Sequence, residues 1–299
     1  EAIRVLNPGA TGEGGKPLSD MTLDELKAQL STLQQERAAL EAAARSAGLI
    51  RAYQQICPDI LAVQESSHLM ARLIMQSLFE YATPQGERVH YKLITGGDTP
   101  IYYRDDKFFP IETGYFLYPE AVPGYEGSFN NKRTKSYAFG VFEELAAGKR
   151  LIVMSTHLWW KSGNPERFNY QPHSDLARVY QISLAIQKAE ELISKYACPA
   201  FIMGDFNAGI GSACMNEVVR LGWTEAHDLY TGERDETKGH HFCNPDGFDR
   251  GEPGLYHDAL DHIIVKNAPG AAIRCYKRLN DAWFDCISDH YPLYADVEI

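Results

Sequence analysis

The stretch PAFIMGDFNAGIGS, Pro199–Ser212, decides how the chain is read. Apolar residues from Pro199 to Met203 predict a strand running through a core, and that run ends abruptly in Gly204, Asp205, Phe206 and Asn207. Charged and amide groups at the rim of a core are costly unless they are paired, hydrated or bound to a cation. Side chains alternate along an extended chain, so Asp205 and Asn207 lie on one side of it.

The same pattern recurs outward from this stretch. ILAV, Ile60–Val63, runs into Gln64 and Glu65; RLIVMSTHLWW passes Ser155 and Thr156 to reach His157. LDHIIV opens with Asp261 and His262, and SDHYPL sets Asp289 and His290 just before the closing strand YPLYADVEI. The opening strand AIRVL leads to Asn7, which either joins this set or starts a turn with Pro8. Converging at one end of a sandwich, these groups would form a site.

Helices and further strands fill the intervals. Thr22 and Glu25 make a capping box ahead of Leu23, Leu26, Leu30, Leu33 and Leu40 at helical spacing. Arg37 interrupts this stripe, which favours packing onto the body of the protein over a dimer seam. Gly48 is expected to break or bend the helix before a second piece, LIRAYQQI, stops at Pro58. From HYKLI to KSYAFGVFEEL the texture is β. Ser174 to Lys195 reads as an amphipathic helix with Leu176, Val179, Ile182, Ile186 and Leu192 on one side. A shorter helix around Met215 to Leu221 and an irregular segment from Asp228 to His257 follow. No repeat or linker divides the chain, so a single α/β domain over residues 1–299 is expected, with an extended helical segment near residues 21–56.

Bulk chemistry narrows the function. The 299 residues are 44% hydrophobic and 23% charged, which is ordinary globular composition. No apolar run approaches the roughly 20 residues of a membrane helix. The chain opens on Glu1, leaving room for a leader removed in maturation; a soluble, cytoplasmic protein is the expectation. A formal net charge of −11 repels polyphosphate unless a basic patch or bound cations reverse the field locally, which lowers the odds of a non-specific nucleic-acid binder. The six cysteines are scattered without a CxxC pair and read as free thiols.

The set at the strand ends suits metal-assisted hydrolysis of a phosphate ester. A hard cation such as Mg²⁺ or Mn²⁺ takes carboxylate oxygens and retains waters. Phosphorus under attack by water also needs a carboxylate to orient that water and donors facing the equatorial oxygens. Asp205 is the candidate for the water and Asn207 for the phosphate.

AVQE, STHLWW, MGDFNA, ALDHIIV and SDHYPL, in this order across nearly the whole chain, resemble the endonuclease/exonuclease/phosphatase superfamily. The resemblance implies a four-layered sandwich, two packed mixed β-sheets flanked by helices, and a divalent metal. It implies Glu65 as the principal metal ligand with Asp289 and Asn7 nearby, Asp205 as the water-activating acid and Asn207 as a phosphate donor. His290 would bond the phosphate while Asp261 fixes its tautomer, and His157 would contact the phosphate or leaving oxygen. Asp205 and His290 both remain open as the base. The signature of inositol polyphosphate 5-phosphatases is missing, since DAL precedes Asp261, and no basic loop of the apurinic endonuclease kind is found.

Substrate contacts are less constrained. Trp159, Trp160, Phe168 and Tyr170 flank KSGNPER and either stack on a sugar, inositol or base or cover the sheet edge. Tyr102 or Tyr103 would face the site, in a register the sequence leaves open. Arg133, with Lys132 and Lys135, either holds a second phosphate or forms a solvated turn. The expected substrate is a small or lipid-like phosphate ester; a nuclease for RNA or single-stranded DNA is the alternative, and a non-catalytic binding protein on the same fold ranks below both.

Overall fold

The computed structural model describes residues 16–17, 20–78, 81–83, 85–232, 243–244, 247–250, 259–268, 272–279, 281, 283–284 and 287–299, with side chains left out at 41, 42, 45, 243–244 and 247–250. The expected opening strand, Asn7, Cys286 and most of the segment after Gly232 lie outside them. Contacts divide the chain into two compact units, Glu1–Ala47 and Gly48–Ile299.

Helix α1, Leu23–Ile56, begins in the first unit and ends in the second. The capping box forms as expected: Thr22 N donates to Glu25 Oε2 at 2.6 Å and Glu25 N to Thr22 Oγ1 at 3.3 Å, satisfying amides the helix itself leaves unpaired. The expected break at Gly48 is not found, because the helix continues through it. Glycine is there for close approach instead: a Cβ at residue 48 would sit 2.3 Å from Ile287 Cδ1. The leucine stripe from Leu23 to Leu40 lies wholly in the first unit.

The second unit is a layered α/β sandwich. Its main sheet has the order β10-β13-β9-β8-β7-β6, built from Thr224–Glu225, Asp261–Lys266, Ala200–Asp205, Arg150–His157, Ser136–Glu144 and Phe108–Leu117. Among the described residues of this sheet only β8 and β9 pair in parallel, joined through helix α3, Ser174–Tyr196, as a parallel crossover requires. A second sheet has the order β1-β5-β4, from Ile60–Ala62, Ile101–Arg104 and Tyr91–Ile94. Strands β14, Ile273–Arg278, and β15, Leu293–Val297, pair with each other. The segment read as irregular contains an antiparallel pair, β11 and β12, Cys243–Asn244 with Gly247–Arg250.

The layers follow from alternation along the central strands. On β8, Ile152 and Met154 join one core with Ile182, Ile186 and Leu192 of α3, while Leu151 and Val153 join a second core with Ile101 and Tyr103 of β5. On β9, Ala200 and Ile202 face the first core and Phe201 the second. Both faces of these strands are buried, which is why they read as continuous apolar runs. Each fully buried aliphatic side chain contributes roughly 1.5–3 kcal/mol. A third core lies outside the second sheet, where Ala52 and Tyr53 of α1 and Ile74 and Leu78 of α2, His68–Leu78, pack on Tyr91 and Tyr102.

Helix α2 is absent from the sequence reading, although Ser67 Oγ accepts from Met70 N and marks its start. On α3 the buried residues are Ser174, Ala177, Arg178, Gln181, Ile182, Ala185, Ile186, Ala189 and Leu192, and Leu176 and Val179 are half-buried beside them. Of the polar members, Arg178 donates to Trp159 O and Lys161 O and Gln181 to Phe129 O, holding loops.

Candidate active site

Register brings the site together. His157 on β8 pairs with Asp205 on β9, and Asp205 pairs with Asp261 on β13, so three chemically active residues stand in one row across neighbouring strand ends. Ser136 on β7 extends the row beyond His157. Gly204 permits it: its φ is 147°, and a Cβ there would lie 1.9 Å from Thr156 O, so any other residue would force β8 and β9 apart. Beneath the row, Tyr118 Oη and Thr156 Oγ1 share a hydrogen bond of 2.8 Å and Thr156 Oγ1 donates to Ser136 O at 3.1 Å.

His157 is the most heavily engaged member. Its Nδ1 lies 2.6 Å from Asp98 Oδ2; a carboxylate only accepts, so this nitrogen carries the proton. Its Nε2 faces Lys135 Nζ in close contact, lies 3.4 Å from Asp205 Oδ2 and is 3.9 Å from Glu65 Oε1. Lys135 is 4% exposed, and Asn130 fixes its backbone by accepting from Lys135 N at 2.9 Å and donating to Lys135 O at 2.8 Å. Burial pushes the Lys135 ammonium below its ordinary pKa, against the pull of Asp205, Asp98 and Glu65.

Asp205 is buried and shared. Its Oδ1 accepts from Asn207 N at 2.7 Å and its Oδ2 from Asn207 Nδ2 at 3.1 Å. Burial alone would raise the carboxyl, but His290, His157 and Lys135 outweigh it and hold Asp205 below the usual carboxylate range. His290 Nδ1 lies 2.8 Å from Asp261 Oδ2. Burial works against its charge, yet Asp261 and Asp205 outweigh that and lift the imidazole well above its ordinary pKa. The row is therefore flanked by two Asp–His pairs, Asp98–His157 and Asp261–His290.

The donors fit a divalent cation. One ligand atom each from Asp205, Asp261 and His290 lies within 4.8 Å of the others, so these three could hold an ion. Glu65 offers a separate carboxylate at the mouth, its side chain 79% exposed beside His157, the setting a hydrated hard cation favours. Asp289 is exposed next to His290.

The remaining expected residues separate. Tyr102 pairs with Leu61 and is fully buried in the outer core, its hydroxyl donating to Ala71 O at 3.4 Å, so it is not brought to the row. Trp159 is 1% exposed, its ring packed with Val122, Phe129 and Ala177 and its backbone N–H donating to Gln181 Oε1 at 2.7 Å. Trp160 is 40% exposed, with Lys161 Nζ 5.9 Å from its ring, and Phe168 and Tyr170 are exposed in the same loop. Arg178 braces that loop by donating to Trp159 O and Lys161 O at 3.0 and 2.7 Å. Arg133 lies in an exposed turn, whereas Lys135, two residues on, is the member of that basic triplet inside the site. Asp98 was missed altogether; it sits in the turn between β4 and β5, with no apolar run to announce it.

The family model described as Endonuclease/Exonuclease/phosphatase family matches residues 33–290. The chain belongs to that family. Solved structures agree on the fold. An endonuclease/exonuclease/phosphatase from Bacteroides vulgatus is 20% identical over 85% of this chain and 90% of its own, with a TM-score of 0.64. The Bacteroides thetaiotaomicron mannosyl-6-phosphatase is 18% identical over 89% and 95%, also at 0.64. D. rerio TDP2, complexed with a single-strand DNA product, is 15% identical over 84% and 90%, at 0.58. A search of curated proteins finds no match.

Proposed function

We propose that the protein is a divalent-metal-dependent phosphoesterase in which Asp205 orients and deprotonates the water that attacks phosphorus. The observation that carries this reading is the row His157–Asp205–Asp261, set by strand register and flanked by Asp–His pairs. Asp205, its carboxyl held below the usual range beside His290, His157 and Lys135, is suited to accept the water's hydrogen bond. Asn207 presents an uncharged donor to the phosphate. His290, held by Asp261, and Lys135, beside His157, bring positive charge to the oxygens on which charge develops. Glu65 and Asp289 would hold Mg²⁺ or Mn²⁺, with Asn7, outside the described residues, as a further ligand; the cluster Asp205, Asp261 and His290, which could also hold an ion, is kept in this reading for the water and the phosphate. Such an ion neutralises phosphate charge.

The substrate we favour is a small or lipid-like phosphate ester. The −11 net charge opposes a polyanion, and a sugar phosphatase is among the proteins of similar fold. The exposed Trp160, Phe168 and Tyr170 favour a second reading, a nuclease acting on single-stranded nucleic acid, because unstacked bases lie well on such rings. Product release from a panel of sugar phosphates, phosphoinositides, sphingomyelin, single-stranded RNA and DNA, and an abasic duplex, with and without Mg²⁺, tests both. Turnover of small or lipid esters alone supports the first reading; cleavage of nucleic acid that Asp205→Asn abolishes supports the second; silence across the panel refutes both.

A further inference from the structure

The turn that carries Asn207 is clamped from one side by β13. Asn207 has a φ of 51°, a left-handed conformation that costs an L residue on the order of 1 kcal/mol and so must be held. On one flank of it, Phe206 N donates to Leu260 O at 2.9 Å. On the other, His262 Nε2 donates to Ala208 O at 2.7 Å. Between these anchors stands Asp261, the register partner of Asp205.

His262 is 2% exposed, and side chains alternate, so it does not share the face of Asp261. Its Nδ1 lies 3.3 Å from Glu225 Oε2, within ion-pair distance, and no hydrogen bond to that oxygen is found among the described residues. Ala208 O and the Glu225 carboxylate are both acceptors, so the ring faces an acceptor from each nitrogen. Glu225 is itself fixed: its Oε1 accepts from Ile263 N at 3.2 Å and from Tyr276 Oη at 3.3 Å. The Phe206 ring, centred 5.2 Å from the imidazole, fills the space beside it. A buried ion pair is a poor source of stability, because desolvation offsets much of its attraction. Its placement behind the turn gives it another use.

We propose that Glu225 and His262 are positioning residues that hold the Phe206–Ala208 turn, and through it Asn207 against Asp205, without touching substrate; this rests on the roles proposed for Asp205 and Asn207. The expected consequence is a loss in kcat rather than in substrate affinity, because Asn207 keeps its side chain but loses its aim.

The test is His262→Phe, which keeps a ring beside Phe206 and removes both ring nitrogens. Expected are a fall in kcat of about 10–100-fold, the range typical of groups that orient an active residue, with KM within about twofold, and faster hydrogen exchange at the Asn207 amide, which in the native protein donates to Asp205. Combined with Asn207→Ala, His262→Phe should add little further loss, since the two act as a unit. Normal kcat and normal Asn207 exchange in folded His262→Phe, or fully multiplicative losses in the double variant, overturn the proposal. Should His262→Phe fail to fold, Glu225→Gln carries the test: a smaller fall in kcat with faster Asn207 exchange supports the proposal, and native values of both overturn it. If Asn207→Ala alone keeps full activity, the reading of the catalytic site fails instead, and the exchange measurement still reports whether His262 holds the turn.

Discussion

Asp98 Oδ2 lies 2.6 Å from His157 Nδ1, so a turn between two strands of the second sheet fixes the tautomer of a histidine on the first. Asp98→Asn keeps the size of the side chain but can present an amide donor to a nitrogen that already bears hydrogen. The expected result is a kcat lower by about 10–100-fold with little change in melting temperature. Steady-state kinetics beside a thermal melt check it; native kcat would show that His157 needs no such partner.

Lys135 is a buried cation whose Nζ meets His157 Nε2. Lys135→Met preserves most of its packing and removes its charge. If the ammonium faces the phosphate in the transition state, kcat/KM falls by roughly 10²–10³-fold, the scale of one lost oxyanion donor. An unchanged kcat/KM would make Lys135 a buried structural cation.

Gly204→Ala sets a Cβ 1.9 Å from Thr156 O at a φ of 147°. Strain and overpacking of this kind are expected to cost on the order of 3 kcal/mol or more. Denaturant unfolding reads the loss. A variant as stable as the native protein would mean that β8 and β9 can separate at this point without penalty.

Glu25 belongs to the capping box, and hydrogen bonds from the Thr22 backbone and from Lys16 lower its carboxyl from 4.5 to about 2. A depressed carboxylate stabilises the folded form above the unfolded value and loses that contribution as the pH falls through the folded one. Protection of the first-turn amides should therefore exceed that of Glu25→Gln above about pH 4.5, and the gap should close as the pH approaches 2. Amide exchange of both proteins across this range measures it; a constant gap would contradict the capping role.

Much of this site was legible in the chain. Glu65, His157, Asp205 and Asp261 each close or open an apolar run, and burial on both faces of β8, β9 and β13 is what makes those runs continuous. Residues delivered by turns left no such trace: Asp98 arrives between β4 and β5, and Lys135 precedes β7 after a turn held by Asn130. Tyr102 and Tyr103 are neighbours of one type, so composition could not say which faces which core. Pairing of Leu61 with Tyr102 sends Tyr102 to the outer core and Tyr103 to the inner one. Gly48 misled for a related reason, since a glycine needed for close approach to Ile287 looks in sequence like a helix breaker.

The measurement that bears most directly on the account is the Mg²⁺-dependent release of product from a phosphate ester by Asp205→Asn beside the native protein. The account predicts a loss of at least about 10³-fold in kcat with the melting temperature nearly unchanged, because the carboxylate that handles the water is gone while its shape remains. Turnover within a fewfold of native would contradict it, removing Asp205 from the chemistry and with it the row on which the site is built.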